Sequence, residues 1–239
     1  MIQRVFLFLF LISGPLALQA QTADEIIKKS FEALGGADKW RAIKTSKSEA
    51  KMAMMGFEFA GTMYGAMPDK MRVEVDVMGQ KIIQGYDGTT AWWINPLQIG
   101  PDAQVMPDEM AEQMKNQQFQ SPLLDYAQKG HSVALEGKET VEGTACYKIK
   151  LTKKDGNEEF HFFDAENYVP ILIRAPIKTG PTAGQFSETF MSDYQEVNGL
   201  MFAFFLETKV AGQSVQKITL SEVTLDEEMK DDLFLFPKK

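Results

Sequence analysis

Three sets of side chains in this sequence could do chemistry: two histidines, one cysteine and a stripe of methionines. Two imidazoles could ligate a metal or shuttle a proton. His161 stands between Phe160 and Phe162 and so faces away from them on a strand; it is read as having no carboxylate or histidine at metal-ligand spacing. His131 follows Gly130 in a turn. Cys146 lies in Ala145-Cys146-Tyr147-Lys148-Ile149, which reads as strand, so it is assigned to packing. A lone thiol makes no internal disulfide, and a catalytic one needs a histidine partner. Met106, Met110 and Met114 are spaced by four and share one helical face. Thioethers suit copper(I), yet such a stripe on an amphipathic helix is ordinarily core. Asp87 reads as the first residue of an Asp-Gly hairpin turn rather than a general base. Glu158-Glu159 and Asp226-Glu227-Glu228 read as solvated charge runs. No glycine cluster forms a phosphate loop, and no nucleophile, base and orienting group stand together. The expectation is a non-enzyme with no cofactor and no metal.

Such side chains need elements to position them. Arg4, the apolar run Val5 to Ile12, Pro15 and the small residue Ala20 have the order of a cleavable secretion signal, cut after Ala20. The run is shorter than the ~20 residues a membrane span needs, and no transmembrane segment is expected in the mature chain. Residue 21 is Gln, not Cys, so no lipid attachment is expected there. Residues 21–239 suit one β-rich domain, and 44% hydrophobic residues can fill its core. The formal net charge is -8, and loss of Arg4 with residues 1–20 makes it -9. That balance gives nucleic acid and anionic lipid no electrostatic attraction, so nucleic acid is excluded as a partner.

Thr22 with Glu25 forms a capping-box pattern, and Ile26, Ile27, Phe31 and Leu34 recur at helical spacing up to Gly35-Gly36. A short turn over 38–43 directs Trp40 and Ile43 to the same core. From Thr45 the period becomes two. Five antiparallel strands are expected over 45–95, with turns at Met55-Gly56, Pro68-Asp69, Met78-Gly79 and Asp87-Gly88. Residues 96–107, rich in proline, read as an irregular loop. Helices follow over 108–119 and 121–129, forming a lid over about 107–130. Seven strands are expected near 132–141, 144–153, 158–164, 168–175, 185–196, 200–210 and 213–224, then a helical turn over 226–232. About a dozen strands with one helical insertion give a mainly β (α+β) fold. Its sheet is large, curved and antiparallel, an unclosed half-barrel covered by an N-terminal helix and a lid. The concave face of such a sheet is an apolar cavity.

Tyr86-Asp87-Gly88-Thr89-Thr90-Ala91-Trp92-Trp93-Ile94-Asn95-Pro96 resembles a hairpin of the LolA/LolB-type outer-membrane lipoprotein carriers. The segment Pro68 to Glu74 resembles the strand before it in that family. Tyr194 to Leu200 is similar to the Tyr-x-x-Val-Asn-Gly stretch of the wider lipoprotein-sorting group, and Leu233 to Pro237 to its Phe-x-Pro ending. The resemblance runs through residues 21–239 in order. It implies an unclosed β-barrel capped by helices, whose interior holds the acyl chains of a lipoprotein or lipid, in the periplasm. It also implies envelope donor or acceptor proteins. One position departs: the family carries a basic residue before the proline matching Pro68 and links that charge to cargo release, and here it is Met67. The resemblance therefore carries apolar binding further than delivery.

The expected cavity residues are Phe59, Met63, Val73, Val75, Trp92, Ile94 and Phe162 on the wall, with Met110, Met114 and Leu123 from the lid. The 96–107 segment is the expected hinge. The alternative is a β-sheet interaction module with its interior packed shut, an accessory subunit of an envelope assembly.

Overall fold

The computed structural model describes residues 21–54, 56–116 and 120–237. The expected signal over 1–20, Met55 of the first turn and residues 117–119 at the end of the first lid helix lie outside these residues.

Thr22 caps α1 (Ala23–Ala33). Its hydroxyl accepts from the Glu25 amide, and the Glu25 carboxylate accepts from the Thr22 amide. Gly35 ends the helix at φ 101°. A Cβ at Gly35 would also lie 2.2 Å from the Gly199 carbonyl oxygen, so only glycine lets the chain pass there. The six-residue α2 (Ala37–Ala42) follows. Trp40 packs 4.7 Å from Phe202 and donates its indole N–H to the Leu34 carbonyl.

Thirteen strands follow: β1 (Thr45–Met54), β2 (Phe57–Ala66), β3 (Lys70–Val77), β4 (Gln80–Tyr86), β5 (Ala91–Asn95) and β6 (Gly100–Val105), then β7 (Ser132–Val141), β8 (Thr144–Thr152), β9 (Glu158–Asp164), β10 (Pro170–Pro176), β11 (Phe186–Val197), β12 (Leu200–Val210) and β13 (Gln213–Leu225). They form one open antiparallel sheet ordered β6-β5-β4-β3-β2-β1-β13-β12-β11-β10-β9-β8-β7. Every neighbouring pair is a sequential hairpin except β1 with β13, which zips the two meanders together. The two free edges, β6 and β7, are consecutive in sequence. The chain between them therefore crosses from one lip of the half-barrel to the other, and that crossing carries α3 (Asp108–Asn116). Topology alone makes this segment the link between the two free edges.

Three sequence readings are corrected. Residues 100–105 are strand β6, paired with β5, not irregular loop. Pro101 fits because β6 is an edge strand, where a missing N–H breaks no ladder. The helix expected over 121–129 is a chain of turns, because Asp125 has φ 54° and interrupts the helical path. At the C-terminus only Asp231–Leu233 is helical, as one 3-10 turn. Among the described residues no helix is long and apolar enough to cross a membrane.

Candidate functional site

Strand pleating assigns the faces. On the face bearing the helices, Met52 stands opposite Phe59, Met63 opposite Val73, and Gly61 opposite Val75. Gly61 leaves space that Met52 uses: a Cβ there would meet the Met52 methyl at 3.0 Å. Farther along, Met71 pairs with Tyr86, and Gln84 with Trp93. α3 lands here: Met106, Ala111 and Met114 are buried with Tyr86 and Ala91, and Met110, Met71 and Trp93 pack around them. The methionine stripe is thus core between lid and wall. Phe59, Met63, Val73 and Val75 share this wall and stay half-buried, because α3 reaches only its far end.

Three expected cavity residues point the other way. Trp92 and Ile94 alternate with Trp93 and lie on the convex face. Trp92 is fully buried there under the C-terminal tail. Its indole donates to the Phe234 carbonyl at 2.8 Å, Phe236 meets its ring edge-on, and the Arg72 guanidinium sits 5.5 Å from the ring. Gly85 beside it is obligatory, since a Cβ would fall 2.3 Å from the indole carbons. Phe162 pairs with Leu172 and Lys148 on the same convex face, buried with Cys146 and Val141 beneath Arg174 and Lys148. A face assigned one residue out inverts a whole strand. Burial raises the Cys146 thiol above its ordinary range.

Over the other meander the helix-bearing face is closed by α1 and the turns of 120–130. Ile26, Ile27 and Phe31 pack on Ile149, Leu151 and Phe163, with Leu123 and Leu124 alongside. Arg41 of α2 grips Asp125 through three hydrogen bonds of 2.8–3.1 Å, Tyr126 bonds Asp24, and Gln120 donates to the Trp40 carbonyl at 2.8 Å. The Arg41 hydrogen bond holds the Asp125 carboxyl below its usual range. Beneath this cover lies a cavity of about 460 Å³. Ile27, Phe31 and Leu34 of α1, Leu123 and Leu124, and Phe163, Ile173 and Met191 of the sheet line it. Of the expected site residues, Leu123 is here, while Phe59, Met63, Val73 and Val75 belong to the other meander's wall and Met110 and Met114 to α3 above its far end.

The cavity has one polar corner that the sequence reading missed. Lys153, Glu159 and His161 all line it. Glu159 and His161 are two apart on β9, so both face inward. The Glu159 carboxylate pairs with the Lys153 ammonium and, at 3.2 Å, with His161 Nε2. Burial pushes this carboxyl upward, but the hydrogen bonds from His161 and Lys153 prevail and hold it at about 2. Glu159 is therefore no solvated charge, and His161 does have a carboxylate partner. The i, i+2 spacing on a strand was the available signal.

No protein-family model matches the chain, and no curated protein matches it. Solved structures do. A DUF1329 family protein from Desulfovibrio piger matches with TM-score 0.60 at 17% identity, over 87% of this chain and 97% of its own. A LolA superfamily protein from Nitrosomonas europaea gives 0.57 at 12%, over 90% and 98%. An outer membrane lipoprotein-sorting protein domain from Vibrio parahaemolyticus gives 0.56 at 12%, over 87% and 97%. The fold is LolA-like. At these identities the likeness is one of fold, as the resemblance in sequence implied. In this half-barrel the helices lie on one face of the sheet, and the segment carrying α3 joins its two free edges.

Proposed function

We propose that this protein binds and carries an apolar ligand, the acyl chains of a lipoprotein or a lipid, in the bacterial periplasm. The observation that carries the reading is the interior itself. A wall of Phe59, Met63, Val73 and Val75 is left half-buried, and the same face of the sheet holds a cavity of about 460 Å³ under α1. Apolar surface held open inside a fold costs stability unless something covers it. Burial of an acyl chain contributes ~0.8 kcal/mol per methylene, so binding needs no charged contact. The wall residues, with Met110, Met114 and Leu123 from the cover, are our candidate ligand contacts; Trp92, Ile94 and Phe162 are withdrawn. The rival reading, an interaction module packed shut, fits neither the cavity under α1 nor the open wall. We read a binding protein rather than an enzyme. Its cysteine is sealed on the convex face with its thiol pushed up, the reverse of a reactive nucleophile. Residues 1–20 act in this proposal as the export signal, and residues 21–239 as one ligand-binding domain.

The test is native mass spectrometry of the mature protein, isolated gently from an envelope extract, before and after unfolding. A discrete added mass released on unfolding, matching acyl chains or a lipidated peptide, is expected. A bare mass that persists after incubation with lipid would leave the packed-module reading standing instead.

A further inference from the structure

The corner formed by Lys153, Glu159 and His161 assigns a more specific ligand to the cavity. We infer that the cavity under α1 takes a single-chain amphiphile with a carboxylate head, the head on Lys153 and the tail along Leu34, Leu123, Ile173 and Met191. This rests on the carrier reading above. Four observations support it. First, 460 Å³ falls in the range of about 300–1,000 Å³ of small-ligand sites and suits one chain rather than a lipid with several. Second, the Lys153 side chain is 7% exposed and that of His161 3%. Burying charge against apolar walls is costly, and apolar residues would pack the site at least as well, so fold stability does not account for the cluster. Third, the single acid among the lining residues is used on both oxygens: Lys153 takes Oε1 and His161 takes Oε2. Fourth, the donors are not used up. An ammonium carries three N–H groups and its bond to Glu159 accounts for one. What the corner can still accommodate is an acceptor, and the spare N–H groups of a buried ammonium favour an anionic one. A carboxylate meets both conditions.

The experiment compares laurate with methyl laurate by titration calorimetry on the full mature chain. The two share the tail and differ in the charge of the head. The expected result is that laurate binds tighter by about tenfold, the scale of one charge-assisted hydrogen bond. The double variant Lys153→Met with Glu159→Gln removes both charges together and leaves no buried ion alone. It should bring the ratio close to one while methyl laurate still binds. Lys153→Arg should keep the preference. Ile173→Trp fills the cavity, and should abolish both ligands at an unchanged fold by circular dichroism. Equal binding of acid and ester to the unmodified chain overturns the inference and leaves the carrier reading intact, as does a preference that survives the double variant. Laurate binding that persists in Ile173→Trp places the site elsewhere and overturns it too. Binding of neither ligand overturns the carrier reading and this inference with it.

Discussion

The two meanders of this sheet treat the same face differently. On β8 and β9, Ile149, Leu151 and Phe163 are buried under Ile26, Ile27 and Phe31. On β2 and β3, Phe59, Met63, Val73 and Val75 are as apolar and yet half-buried. Side-chain hydrophobicity cannot separate them; cover does. α1 has 11 residues, a reciprocal cap and a glycine stop wedged against Gly199. α3 has nine, and its buried stripe meets Tyr86, Ala91, Met71 and Trp93 at the far end of the wall. One meander holds the fold together, and the other keeps apolar surface in reserve. A half-barrel whose free edges are joined by a helical segment can divide labour this way, because moving α3 breaks no strand pairing.

The largest effect should separate the two regions directly. Ile149→Ala removes a fully buried side chain from the closed cluster and should cost about 2–5 kcal/mol. Val73→Ala on the open wall should cost about 1 kcal/mol, since half-burial forfeits only part of the transfer free energy. Urea denaturation of both variants decides it. Equal losses would mean that the wall is packed after all, and the comparison would fail.

The next effect tests what the closed region holds. Glu159 titrates at about 2 when folded, below its ordinary 4.5. A depressed folded value stabilises the native state above the unfolded pKa and loses that stability as pH falls through the folded one. The contribution is at most on the order of 3 kcal/mol, present above pH 4.5 and fading towards pH 2. Urea midpoints from pH 6 to 2.5 should therefore fall more steeply for the natural chain than for Glu159→Gln. Parallel curves would show that the carboxylate gains nothing from Lys153 and His161.

A third test concerns the back of the open region. Gly85→Ala drives a Cβ into the Trp92 indole and should cost about 1–3 kcal/mol, the scale of overpacking. The C-terminal tail, held through Phe234 and Phe236, should become a protease target before the sheet unfolds. If stability drops with no new cleavage near residue 230, the tail does not depend on Trp92.

Much of this architecture was legible in the sequence. Period-two runs located the strands, and turn pairs such as Met78-Gly79, both residues found at positive φ, located hairpins. The misreadings share a cause. Alternation gives the period of a strand but not its phase, so Trp92 and Ile94 were set inside when Trp93 is the inner residue. Phe162 is apolar on both counts of pattern and size, yet it serves a second, convex cluster that no local signal announces. β6 carries a proline because it ends the sheet, and an edge is a property of the assembled fold, not of the segment. The polar corner was missed because Glu159 was grouped with its neighbour Glu158, whereas a strand puts neighbours on opposite faces.

The smallest effect bears most closely on function. Met110 packs at the border of the α3 cluster, half-buried, while Met106 and Met114 are its buried members. Met110→Ala should lower stability by no more than about 1 kcal/mol, because little of its surface leaves water. If α3 is a lid over the reserve surface, the same change should alter ligand exchange far more than stability. It removes a flexible side chain that can repack against either the wall or a bound chain. The expected result is a faster release of a fluorescent diacyl lipid, which the single-chain cavity under α1 does not suit, in stopped flow, with a melting temperature nearly unchanged. Ile149→Ala should show the reverse pattern, a low melting temperature with release unchanged at temperatures where it is folded. Release rates that follow stability in both variants would mean that the lid and the closed cluster open as one unit. The open wall would then be a gap in the core, and the division of labour between the meanders would fail.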